Sequence, residues 1–139
     1  MKTKTRNIIS WVAQATVIVI LGQSLFFKFT AHPESVAIFT DLNAEPFGRI
    51  AVGIAELITC ILLARSLTAP IGALMGAGTM VGAIFGHFTA IGWEGARGEL
   101  GAMAIAALIA SIAVLYLQKD KIPQLLKLIQ TSKLKTAAE

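Results

Sequence analysis

The feature that most constrains this chain is a series of four apolar runs, each near the ~20 residues of helix needed to cross the hydrocarbon core of a bilayer. They occupy about 8–28, 47–66, 69–91 and 99–118 of the 139 residues. A chain that is 55% hydrophobic and 14% charged lacks the polar residues to cover four such helices in water. The runs predict an all-α fold: a single integral membrane four-helix bundle, followed by a cytoplasmic amphipathic tail over 119–139. The first run is longer than a secretory signal core, and no small-x-small cleavage site follows it, so it reads as a retained span.

The net charge is +4. With the amino terminus in the cytoplasm, Lys2, Lys4, Arg6, Arg65, Lys119, Lys121, Lys127, Lys133 and Lys135 all fall inside, and only Lys28, Arg49 and Arg97 fall outside. That asymmetry follows the positive-inside rule and puts both termini in the cytoplasm. The basic residues flank spans and belong to no base-reading module, so nucleic acid is excluded as a partner and the lipid bilayer is implied. One cysteine, Cys60, rules out an intramolecular disulfide and reads as a small buried apolar residue. Together with His32 and His87 it makes no metal-ligand cluster.

The connections carry their own signals. In TAHPESVAIFTDLNAEP, residues 30–46, Pro33 suits a first helical position and Val36, Ala37, Ile38, Phe39 and Leu42 are apolar. A short helix at the outer interface is expected there, either as a lid or as a passive connector. The turn around 65–69 is too short for anything but antiparallel neighbours. Gly72, Gly76, Gly78, Gly82 and Gly86 in the third run allow close helix packing or, on another face, a groove for a flat ligand. Gly92 to Gly98 forms a turn with Trp93 as an interfacial anchor, and Glu99 opens the fourth helix at its positive dipole end. From Pro123 onward, Ile122, Leu125, Leu126 and Ile129 share a face away from Lys127, as in a helix lying on the membrane surface.

Ionisable groups inside apolar runs are costly, face the interior and mark sites or pathways. Three qualify: Lys28, Glu56 and His87. Ser10, Gln14, Leu21, Ser24 and Lys28 lie on one face of the first helix, opposite Gln23. Glu56 lies about nine residues into its span, roughly 13 Å deep, where no lipid-facing role exists. Arg49 shares its face and is a rival to Lys28 as its partner. Gln14, Ser24 and Arg49 are therefore secondary candidates. A pair that only orients the helices competes with a binding or catalytic one, and a packing role competes with a hydrogen-bonding one for His87.

The stretches GRIAVGIAELITCILL and GALMGAGTMVGAIFGHFTAIG resemble the DoxX-like family of small four-helix membrane proteins. The family's lysine closing the first helix, Gly-x-x-Glu-Leu in the second and Ala-x-x-x-His ending the third correspond to Lys28; to Gly53, Glu56 and Leu57; and to Ala83 and His87. The small residue usual before the lysine is replaced here by Leu25, Phe26 and Phe27. The resemblance implies a multi-pass protein of the bacterial cytoplasmic (inner) membrane. It also implies association with quinone-linked oxidoreductases, including thiosulfate oxidation, or with assembly and cargo roles. The leading expectation is a small subunit or binding protein of a quinone-linked redox system, with its polar site in the outer half of the bundle. There His87 would donate a hydrogen bond to a carbonyl, Glu56 would carry a proton and Lys28 would tune it. No metal, haem or flavin motif is visible, so a quinone is the cofactor this reading admits, and electrons would come from a redox partner subunit. A proton-coupled small-molecule exporter and a non-catalytic assembly or scaffold protein are the alternatives. Catalysis and homo-oligomerisation stay open.

Overall fold

A computed structural model describes residues 1–138, and they are almost entirely helical. The elements are α1 (Thr3–Phe29), α2 (Pro33–Asp41), α3 (Phe47–Leu63), α4 (Ala69–Gly86), α5 (Ala96–Leu117) and α6 (Ile122–Ala137). A π-helical turn, His87–Ile91, extends α4, and a 3-10 turn, Lys119–Lys121, precedes α6. Three segments are long and apolar enough to cross a membrane: α1, α4 with its π extension, and α5. The expected second span, 47–66, is α-helical only over the 17 residues Phe47–Leu63. It stops there because the Thr68 hydroxyl donates to the Leu62 carbonyl at 2.8 Å and draws the chain into a tight turn.

The four long helices pack cyclically: α1 lies against α3 and α5, and α4 completes the circle against the same two. Each buries one stripe at helical spacing, as in Arg49, Gly53, Glu56, Thr59 and Leu63 of α3. Close approach is obligatory at Gly72, where an added Cβ would lie 2.9 Å from the Leu63 backbone nitrogen. Val17, Leu21, Leu63, Ala73, Ala107 and Val114 are buried apolar residues of the centre.

The rest of the distribution is inverted relative to a protein dissolved in water. Ser10, Gln14, Lys28, Glu56, Thr59, His87, Ser111 and Gln118 are buried, whereas Val19, Ile61, Phe85 and Ile109 are exposed. Apolar side chains outward and ionisable ones inward is the arrangement that lipid solvation favours.

The polypeptide turns back at two kinds of end. At one, α1 finishes and Ala31 takes φ 51, reversing the chain into α2. Pro33 occupies the first turn of α2, and His32 caps it by accepting the Glu34 N–H on Nδ1 at 3.4 Å. At the other end, the start of α1, the α3–α4 turn and the α5–α6 junction come together. Gln118, at that junction, is buried and donates to Ser10 Oγ. We call these the Lys28 end and the Arg6 end. The fourth long helix starts at Ala96, ahead of the expected 99, because Gly95 at φ 57 supplies an N-cap conformation that L side chains rarely adopt. Glu99 therefore lies within the first turn and makes no side-chain cap. Helix α6 buries none of its residues.

Candidate functional site

The second and first long helices bring Glu56 and Lys28 together inside the protein. Lys28 is 9% and Glu56 2% exposed. Lys28 Nζ lies 3.0 Å from Glu56 Oε2 and donates a hydrogen bond to Oε1 at 3.1 Å. Ser24, one turn before Lys28, completes the triangle: its hydroxyl accepts from Nζ and donates to Glu56 Oε1 at 3.4 Å. The i, i+4 spacing of Ser24 and Lys28 places both on one α1 face. Glu56 Oε2 is in ion-pair contact with the Lys28 ammonium at 3.0 Å and receives no further hydrogen bond from the protein. The pair is thus electrostatically matched but not saturated.

Arg49 does not reach Glu56. It forms an ion pair with Glu45, one turn earlier, at 2.8 Å, and donates from its Nε to both Glu45 oxygens at 2.9 Å. Its other recorded bond is to the Lys28 backbone carbonyl, which fastens the end of α1 to the start of α3. Gln14 lies deep but nearer the Arg6 end, donating to Ser10 O at 3.1 Å and Ser10 Oγ at 3.0 Å. Of the secondary candidates, only Ser24 joins the pair directly.

His87 is buried where α4 gives way to the π turn. The Gly92 N–H bonds the His87 carbonyl at 3.0 Å, and His87 Nδ1 lies 2.9 Å from the Gly92 carbonyl. A carbonyl only accepts, so Nδ1 carries the proton; the neutral ring then offers Nε2 as an acceptor and donates there only as imidazolium. His87 thus donates to the protein's own Gly92 carbonyl. Trp93 packs over it with ring centroids 5.1 Å apart, and Gly101 makes room, since a Cβ there would lie 2.4 Å from Trp93 Cζ3. Trp93 is therefore a packing residue as well as a candidate interfacial anchor. Its Nε1–H is buried and unpartnered.

Helix α2 covers both parts. Phe39 is buried with its ring centroid 5.9 Å from Lys28 Nζ, and Leu42 approaches Gly86, next to His87. Arg97, at the start of α5, holds α2 in place: it contacts Glu34 at 3.2 Å and Asp41 at 2.8 Å, and donates to the Ile91 carbonyl at 2.9 Å. Sequence periodicity gave no sign of this clasp or of Glu45, and marked Phe39 only as an apolar residue of the connector helix. The recorded contacts do not join His87 to Lys28 or Glu56, and the two best-formed cavities both lie at the Arg6 end. Phe29 over Gly53 and Phe39 beside Lys28 fill the space around the pair.

Among the described residues, no group of three or more histidine, cysteine or acidic side chains is placed to hold a metal ion. Compared with known proteins, the chain matches no family model, no curated protein and no solved structure.

Proposed function

We propose that this is a multi-pass protein of the bacterial inner membrane, DoxX-like in plan. In this reading α3 is a fourth span, the Lys28 end faces outward and both termini face the cytoplasm. The protein serves as a small subunit or binding protein of a quinone-linked redox system. The observation that carries the reading is the buried Lys28–Glu56 pair, contributed by two helices, in which Glu56 Oε2 meets only the Lys28 ammonium. Buried ion pairs often stabilise less than apolar replacements, which favours a role for this one beyond packing.

For a quinone-type head group the residues offer one buried unused donor to a carbonyl, Trp93 Nε1–H, while His87 Nε2 and Glu56 Oε2 are acceptors that match only the hydroxyls of the reduced quinol. A quinone bound there would supply two-electron, two-proton chemistry, with electrons from a partner subunit. The chain's own part is to carry a proton at the Glu56 carboxyl, to fix that group with Lys28 and Ser24, and to exclude water by the α2 cover. Because Phe29 and Phe39 fill the space around the pair, binding requires those side chains and α2 to move, against the Arg97 clasp.

A second reading, a non-catalytic assembly protein, draws support from the filled space around the pair. Extraction in mild detergent followed by lipid analysis separates the two. Enrichment of a quinone over the membrane average, reduced in Glu56→Gln, is expected; reproducible absence together with no uptake of an added short-chain quinone supports assembly.

A further inference from the structure

The Arg6 end holds a polar hollow beside an open apolar helix face. The hollow, of about 270 Å³, is lined by polar groups including Arg6, Asn7, Ser10, Ser66 and Lys121. Beside it, Ile8, Trp11, Val12 and Ala15 form a shallow, exposed face of α1. Asn7 and Trp11 border both, so a cationic hollow and an apolar face adjoin. From Lys4 to Ala15 that face follows about 16 Å of helix.

The charges at the head are incompletely matched. Arg6 is paired with Asp120 at 2.7 Å, whereas Lys121 Nζ meets only neutral oxygens, the Ser66 hydroxyl and the Ser66 carbonyl at 3.2 Å. Partial burial, and then repulsion from Arg6, holds the Lys121 ammonium below the ordinary lysine range. An anion placed between the two cations offsets the repulsion and favours the charged ammonium. Gln118, buried in the wall, donates from Nε2 to Ser10 and keeps Oε1 unpartnered, an acceptor suited to a hydroxyl-bearing head group.

We propose that this end binds one anionic phospholipid, its phosphate between Lys121 and Arg6 and an acyl chain along the open α1 face. The inference rests on the membrane placement proposed above, not on the quinone. An amphiphile with a negative head suits the cationic hollow and the apolar face at once. Basic pockets between spans at a cytoplasmic leaflet recognise lipid head groups by this chemistry.

The test uses the full chain purified in a neutral maltoside detergent. Native mass spectrometry would read adducts of dioleoyl phosphatidylglycerol and dioleoyl phosphatidylcholine supplied at equal concentration. A clear phosphatidylglycerol preference is expected, falling about fivefold in Lys121→Gln. Lys133→Gln, which removes the same charge from exposed α6, is expected to leave it unchanged. Arg6→Gln gives a second reading if Lys121→Gln fails to fold, and Trp11→Ala is expected to lower retention of both lipids. Equal occupancy by the two lipids, or matching behaviour of Lys121→Gln and Lys133→Gln, overturns the site. Full displacement by inorganic phosphate overturns the lipid as occupant. Carbonate extraction of cell membranes separates the two levels. Release of the protein refutes the membrane placement itself, whereas a membrane-embedded protein without lipid preference refutes only this site.

Discussion

The two ends of the helical core treat charge in opposite ways. At the Lys28 end each of the three cations has a carboxylate: Lys28 has Glu56, Arg49 has Glu45, and Arg97 has Glu34 and Asp41. At the Arg6 end, one ion pair, Arg6–Asp120, is recorded among the described residues, while Lys2, Lys4, Arg65 and Lys119 are exposed. Free cations at one end suit a surface that meets anionic lipid, and they need no counter-charge from the protein. Cations enclosed at the other end must be neutralised internally, because a lone buried charge is far costlier than a matched one. One end leaves its cations at the surface, and the other keeps charge inside the protein.

Breaking the pair at the enclosed end should have the largest effect. Lys28→Met leaves the Glu56 carboxylate buried without a cation, and a loss of about 3–5 kcal/mol is expected by chemical denaturation in detergent. The double variant Lys28→Met/Glu56→Gln should regain most of it. Next comes Gly101→Ala, whose Cβ would meet the Trp93 ring at 2.4 Å. A loss of about 1–3 kcal/mol is expected, with a shift in tryptophan emission as the indole leaves its seat over His87. Unchanged emission and stability would show that the Trp93 packing is not fixed.

Arg97→Gln tests the clasp rather than the core. Amide exchange should quicken in α2 and the π turn, and high salt should produce a weaker version of the same change in the wild-type protein. At the free end, Arg6→Gln should cost no more than about 0.2–1 kcal/mol, since the pair with Asp120 is exposed. A larger loss would erase the contrast between the ends.

The smallest effect concerns Lys121. Its folded-state value lies below the ordinary 10.5, so between the two the unfolded chain holds more protons than the folded one. Stability should therefore rise slightly as pH climbs through the window just under 10.5, and this rise should vanish in Lys121→Gln.

What the sequence revealed follows from how locally each signal is encoded. Pro33 and the apolar residues after it mark α2 within a single turn, and a carboxylate deep in an apolar run has no lipid-facing role, which singles out Glu56. The Ser24–Lys28 face follows from helical spacing alone. The Arg97 clasp was invisible because its partners lie 63 and 56 positions away, on a connector whose docking no periodicity reports. The role of His87 depended on a π turn that brings the Gly92 carbonyl back onto its own ring, and Gly92 itself was the only hint of an irregular exit. Gln118 looked like the point where the chain leaves the core, yet it is buried against Ser10. Gly95 was the signal that the fourth long helix starts before Glu99.

The central claim is that the enclosed pair serves a ligand and a proton rather than packing alone. The most direct measurement is binding of a short-chain quinone to the protein in lipid nanodiscs, comparing wild type, Glu56→Gln and Lys28→Met/Glu56→Gln, with the stability of each measured alongside. The account predicts that the double variant recovers near-native stability yet binds at least about tenfold more weakly, the effect of about 1.4 kcal/mol. Binding that survives in the stable double variant, or that is absent in the wild type, would contradict it.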